Sequence, residues 1–305
     1  MADFSHKPTG PAMVAPPAPV HTEEDLTHHR KGPLGDMAVV PDNYVGPMPP
    51  GAVRETDYQR MTGVFGNISS GKSSIQFDTS NFMKDAEGKD LSLLDDPKAY
   101  LDALASAGQF QEQYMGYIQD LVKTPAGLQL LETLDQSKLK TRIQYGEGGN
   151  SALADDPDAT HLDKDGNRNK GSGSMVSVDP NELLWDGPEV CAKEPADRWQ
   201  PWMRDKPRFS FYHELVHAYH NNLGDVVNDG GTFAQCTDYS TEIGNWEFQA
   251  AGIGPYRAEA VSENAIRAQM GAALRPTYGG AKHGAPNPWK QQKDDEEPPL
   301  RSPHR

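Results

Sequence analysis

The sequence predicts an α+β domain, a small mixed or antiparallel sheet packed on one central helix, flanked by two non-globular ends. Three observations lead there. Helical and strand-like periodicities fall in separate runs between about residues 56 and 278. One amphipathic run carries His213-Glu-Leu-Val-His217. Proline and charge dominate both ends: 10 of the 25 prolines lie in the first 50 residues. This divides the chain into a disordered, Pro-rich segment 1–55, a folded domain 56–278 and a disordered tail 279–305.

Taken in order, Pro16, Pro17, Pro19 and then Pro47, Pro49, Pro50 block helix and ladder alike in the first segment. Gly63–Phe77 holds short β-like runs in which Ile75 and Phe77 alternate with polar neighbours. Asp95–Val122 is a predicted helix, with Tyr100, Leu101, Leu104, Phe110, Tyr114, Ile118 and Leu121 near i, i+3, i+4 spacing. Thr124-Pro125 is an N-cap followed by proline at the first helical position, and opens a helix through Leu134. Thr141–Tyr145 and Met175–Val178 are predicted strands, and the Gly-, Asp- and Asn-rich stretch 147–173 a loop. Pro207 starts the helix of the His-Glu motif, and Asn221, Asn222 and Gly224 stop it. Thr237–Ala251 and Ser262–Gly271 are the last two predicted helices.

Composition narrows the function. A net charge of -15 argues against nucleic acid as a partner. Apolar stretches are a few residues long, so no membrane span is expected. The chain begins without a charged and apolar leader, so a Sec signal is not expected, and the core-poor head is what a non-Sec export signal looks like. The only cysteines, Cys191 and Cys236, exclude a disulfide scaffold and a multi-Cys zinc ribbon. Two free thiols in a reducing compartment are expected.

Two motifs compete for the chemistry. Gly66-Asn-Ile-Ser-Ser-Gly71-Lys72-Ser73 is a literal G-x4-G-K-S, the pattern of a loop that cradles phosphates for a nucleotide hydrolase. It lacks a strongly apolar strand before it, and Ser74–Asn81 after it is strand-like rather than helical, so a β-hairpin turn accounts for its glycines. His213-Glu214-Leu215-Val216-His217 has the better setting. On a helix the i and i+4 imidazoles share a face and can hold Zn²⁺, with Glu214 placed as general base. A catalytic zinc wants a third protein ligand and an open position. Glu242, Glu247, Glu259 and Glu263 are candidates, with Glu247 first because it lies beside Trp246 and Ala250 on one helix face. Glu263 is read as a first-turn acid, and His220 as a surface histidine offset from the ligand face. Arg275 and Tyr278, three apart after a turn, can stabilise an oxyanion.

The run from about Thr141 to Tyr278, with Thr124-Pro125-Ala-Gly127 and Leu130-Leu131 ahead of it, resembles the NleD-like family of type III-secreted effector zinc metallopeptidases. The likeness rests on Gly171-Ser-Gly-Ser-Met-Val-Ser-Val-Asp179-Pro180, His213-Glu-Leu-Val-His217-Ala218, Glu247 to Gly252, and Glu263-Asn264-Ala-Ile-Arg267 with Gly271 and Arg275-Pro-Thr-Tyr278. The family is similar in site layout to clostridial neurotoxin light chains. Where it commonly has two adjacent acids, the first here is Trp246. The resemblance implies a zincin-like fold, zinc on His213, His217 and Glu247, Glu214 as base, and Arg275 and Tyr278 as transition-state stabilisers. It further implies a zinc endopeptidase acting as a monomer in the host cytoplasm after type III export. Its partners would be a host signalling protein of MAP-kinase type and a secretion chaperone. A non-catalytic binder of a host protein is the other class left open.

Overall fold

The computed structural model describes residues 27–147, 149–180, 201–203, 205–227, 232–234 and 242–276. The chain divides into two compact units, one up to Tyr58 and one from Gln59. Cys191, Cys236, Tyr278 and the tail 279–305 lie outside the described residues.

In the first unit, β1 (His28–Gly32) and β2 (Gly35–Val40) form an antiparallel hairpin, and β3 (Val53–Arg54) pairs in parallel with β2. Composition had marked this stretch as disordered. A single short hairpin is invisible when proline content is averaged over 55 residues. The turn Gly32-Pro-Leu-Gly35, with Gly35 at φ 86°, and the β-rich Met37-Ala-Val-Val40 build it.

Helix α1 (Glu55–Ser69) leads into the second unit. Met61, Val64, Phe65 and Ile68 are buried along it at helical spacing, so the β-like reading of Gly63 onward holds only from Ile75. Strand β4 (Ile75–Asp78) follows, then α2 (Pro97–Leu121) and α3 (Pro125–Gln136). Asp96 caps α2 through the Ala99 N–H, and Thr124 caps α3 through the Gly127 N–H at 3.0 Å. The core face of α2 is Phe110, Tyr114, Ile118 and Leu121. Leu101 and Leu104, expected on that face, are 55% and 53% exposed. At about 100° per residue, Leu101 lies half a turn away from Phe110.

The sheet of the second unit runs β4-β5-β7-β6, with β5 at Thr141–Tyr145, β6 at Ser151–Ala154 and β7 at Ser174–Val178. The β4–β5 and β5–β7 pairs are parallel, and β6 is an antiparallel edge inside the stretch expected to be loop. It is therefore a mixed sheet. Thr141, Ile143 and Tyr145 alternate with half-exposed neighbours, as do Ser174, Val176 and Val178. Phe110 meets Tyr114 at 4.7 Å between ring centroids, and Tyr114 meets Phe211 at 4.8 Å, joining α2 to α4 (Lys206–Leu223).

Helix α4 packs on β6 and β7. Its C-terminal carbonyls are taken up by the chain entering β7: Ser172 N–H donates to Asn221 O at 2.8 Å and Asn169 N–H to Gly224 O at 2.8 Å. Gly171 makes this approach possible, since its φ is 76° and a Cβ there would stand 1.9 Å from the Asn222 carbonyl oxygen. Gly171→Ala should cost at least about 2–3 kcal/mol, because a strained φ is joined by a clash with backbone that cannot move aside. Gly271→Ala, at φ 68° with open space around it, should cost about 1 kcal/mol. Urea midpoints of the two variants check this, and equal losses would contradict it. Further along the described chain lie β8 (Thr232–Ala234), antiparallel to β9 (Glu242–Gly244), then α5 (Asn245–Ala251) and α6 (Glu263–Gln269). The helix expected over Thr237–Ala251 is thus confined to its second half among the described residues.

Candidate metal centre

Pro207 opens α4 and Gly224, at φ 68°, closes it. The helix is buried nearly all round, from Phe209, Phe211 and Tyr212 to Leu215, Val216 and Ala218. Its i, i+4 histidines face one another, with Nε2 of His213 and Nε2 of His217 3.0 Å apart. α5 brings Glu247 to both: its Oε2 is 2.9 Å from His213 Nε2 and 3.0 Å from His217 Nε2. Of the acids considered from sequence, it is Glu247 whose carboxylate joins the pair of imidazoles. Glu242 lies in β9 rather than on a helix.

Glu263 stands behind His213. Its Oε2 is 3.1 Å from His213 Nδ1 and accepts from Arg275 Nη1 at 2.9 Å, while Oε1 accepts from Arg267 Nε at 2.7 Å. Ser262 starts α6 by accepting from the Ala265 N–H, which places this acid one residue inside the first turn. Arg267 is itself held by the Trp202 carbonyl at 2.8 Å and lies over the Phe209 ring at 3.9 Å. The first-turn reading of Glu263 captured its position and missed its partners. The sequence signal was the i, i+4 pair Glu263 and Arg267, which reads equally well as an exposed helix pair.

The donor set fits a cation. In the neutral ring, with its Nδ1–H given to Glu263, Nε2 of His213 would present a lone pair toward the Glu247 carboxylate and the second imidazole. Two lone pairs and a carboxylate converging at this range need a positive charge among them. Burial alone would drive the His213 imidazolium down, but hydrogen bonds and charge from Glu247 and Glu263 outweigh it and raise its pKa to about 9. Glu247 is likewise depressed well below its ordinary value: burial opposes ionisation, and the two histidines overcome it. For Glu263, burial is overcome by Arg275, Arg267 and His213, so it stays ionised. The three donor atoms lie 2.9–3.0 Å from one another, close enough to share one cation.

Peptidase family M91, described as effector protein, has a family model that matches residues 102–278. The chain belongs to this NleD-like effector peptidase family. No curated protein matches it. The matched span covers more than half of the chain and contains the metal centre whole, so the M91 domain is a protease with an α+β fold. No described helix is long and apolar enough to cross a membrane.

The other sequence candidates fall as follows. Arg275 is placed on Glu263, whose Oε2 it shares with His213 Nδ1, and 5.0 Å from the Trp202 ring. His220, expected at the surface, is 4% exposed and bonds Asp225 Oδ1 through Nδ1 at 2.8 Å. The helical run Phe209–Tyr219 holds no hint of this, because the partner lies beyond the helix end.

The G-x4-G-K-S segment runs helix–turn–strand, the reverse of a phosphate loop. Gly66 lies inside α1, and Gly71, at φ 70°, follows its end. The N–H groups of Ser70, Gly71, Lys72 and Ser73 already donate to carbonyls of Gly66, Ile68 and Asn67. The Ser73 hydroxyl accepts from the Ile75 N–H at 3.0 Å. Donors so engaged cannot cradle phosphate. The turn expected from sequence is present, but it joins a helix to a strand rather than two strands.

Proposed function

We propose that this M91 effector is a zinc-dependent endopeptidase that cleaves a host signalling protein in the host cytoplasm after type III delivery. The observation that carries the reading is the meeting of His213, His217 and Glu247 on two helices with Glu214 in the same helical turn. His213, His217 and Glu247 would hold the metal. Zinc so bound supplies Lewis-acid polarisation of the scissile carbonyl and of a water.

The chain's own groups do the rest. Glu214 takes a proton from the attacking water and passes it to the leaving amine. Glu263 holds the His213 ring in the tautomer that leaves Nε2 free to ligate. Arg275, oriented by Glu263, and Tyr278 three residues on are the proposed donors to the oxyanion. A MAP-kinase-type substrate and a secretion chaperone follow from the likeness to NleD-like effectors, and a monomer is sufficient because both helices of the site come from one chain.

Terminal-amine proteomics of host lysate tests the reading. Wild-type protein should create new N-termini that Glu214→Gln does not, clustered in one or a few signalling proteins. Identical terminomes from the two would contradict it.

A further inference from the structure

Helix α5 carries Glu247 on only seven residues. A helix this short is not stable alone in water, so its rotation about its axis must be set from outside. Gln249 lies two residues after Glu247 and is 5% exposed. Its Oε1 accepts from the Val227 N–H at 3.2 Å and its Nε2 donates to the Asp225 carbonyl at 3.1 Å. Both ends of one buried amide are thus spent on the backbone just beyond α4.

That backbone is itself anchored. Val226 N–H donates to Thr160 O at 3.0 Å, and Leu162 N–H to Val226 O at 3.1 Å. Asp225 accepts from His220 Nδ1 at 2.8 Å and pairs with Arg168 at 2.8 Å. Because the His220 Nδ1–H is committed to Asp225, the 3.2 Å approach of Gln249 Nε2 to the same nitrogen is a packing contact, and the amide hydrogen goes to the Asp225 carbonyl. At 100° per residue, Glu247 and Gln249 project about 200° apart. One side of α5 therefore meets the two histidines of α4, and the other is gripped by 225–227.

We propose that Gln249 is a positioning residue for the metal centre: its two backbone hydrogen bonds, backed by the His220–Asp225 pair, set the rotation of α5 and so hold the Glu247 carboxylate opposite His213 and His217. A buried side chain needed only for packing would be apolar; an amide bonded at both ends fixes a direction. The proposal rests on the metal-centre reading above.

The test is the zinc dissociation constant of the full chain, from competition with a chromophoric chelator, and the visible spectrum of the cobalt-loaded protein. Gln249→Met keeps the bulk and removes the amide. It should weaken zinc about tenfold or more, in the range of lost outer-layer support, and alter the cobalt bands. Gln249→Glu is isosteric, keeps the acceptor for Val227 N–H and loses the donor to Asp225; its zinc affinity should fall as well, and it decides the matter if the methionine variant does not fold. Ile143→Val, in the sheet, should lower the melting temperature and leave zinc affinity and spectrum unchanged. Gln249 variants that bind zinc as tightly as wild type, with unchanged cobalt bands, would overturn the brace alone. A wild-type chain without zinc affinity would overturn the metal-centre reading beneath it.

Discussion

Glu214→Gln is expected to remove peptide cleavage while leaving metal, fold and substrate binding in place. Glu214 is 9% exposed on α4, next to His213, and glutamine fills nearly the same space. What glutamine cannot do is accept a proton from water. Loss of general-base catalysis costs about 10²–10⁴-fold. The loss should lie at the upper end or beyond, because the same carboxylate serves the attack and the departure of the amine. Metal content and circular dichroism of the variant should match wild type, while its protein-cleaving rate should fall to background. A variant that loses cleavage yet reproduces the full effect on host cells would mean that the protein works by occupancy.

The second large effect is on stability. Glu263→Gln should cost about 3–5 kcal/mol, since it removes the negative centre of a buried cluster and leaves like charges facing each other. Glu263 and Arg267 are each 2% exposed, so water offers little screening. Arg267 Nε and Arg275 Nη1 both lose their carboxylate, and His213 loses the group that orients its Nδ1. In a domain of this size the melting temperature should drop by about 6–20 °C. A drop of under a degree or two would show that the cluster contributes no net stability. Zinc affinity should fall with it, because the ligating tautomer of His213 is no longer favoured.

These two residues also show what could be read from the chain alone. Glu214 and its flanking histidines were legible because i, i+4 spacing on an amphipathic helix defines a face without any tertiary information. Helix α2 announced itself through the spacing of its apolar residues, α3 and α6 through Thr124 and Ser262 at their starts, and β5 and β7 through alternation. The partners of Glu263 and the burial of His220 were missed for one reason: burial of a polar side chain depends on groups from outside its own helix. Arg275 and His213 come to Glu263 from outside its helix, and Asp225 comes to His220 from beyond the end of α4. The β1–β2 hairpin and β6 were missed because each is a few residues long in Gly- and Asp- or Pro-rich surroundings, where composition outweighs periodicity. α1 was misread because the run of Gly63, Gly66 and Ser69 conceals a buried face whose members, from Met61 to Ile68, are helically spaced.

The central claim is that His213, His217 and Glu247 hold a catalytic zinc. Elemental analysis of the purified chain by inductively coupled plasma mass spectrometry, on wild type and His217→Ala side by side, tests it most directly. The account predicts about one zinc per wild-type chain and almost none in the variant, since two protein ligands rarely retain a catalytic zinc. Zinc absent from the wild type after growth and loading in zinc, or retained in full by His217→Ala, would contradict it.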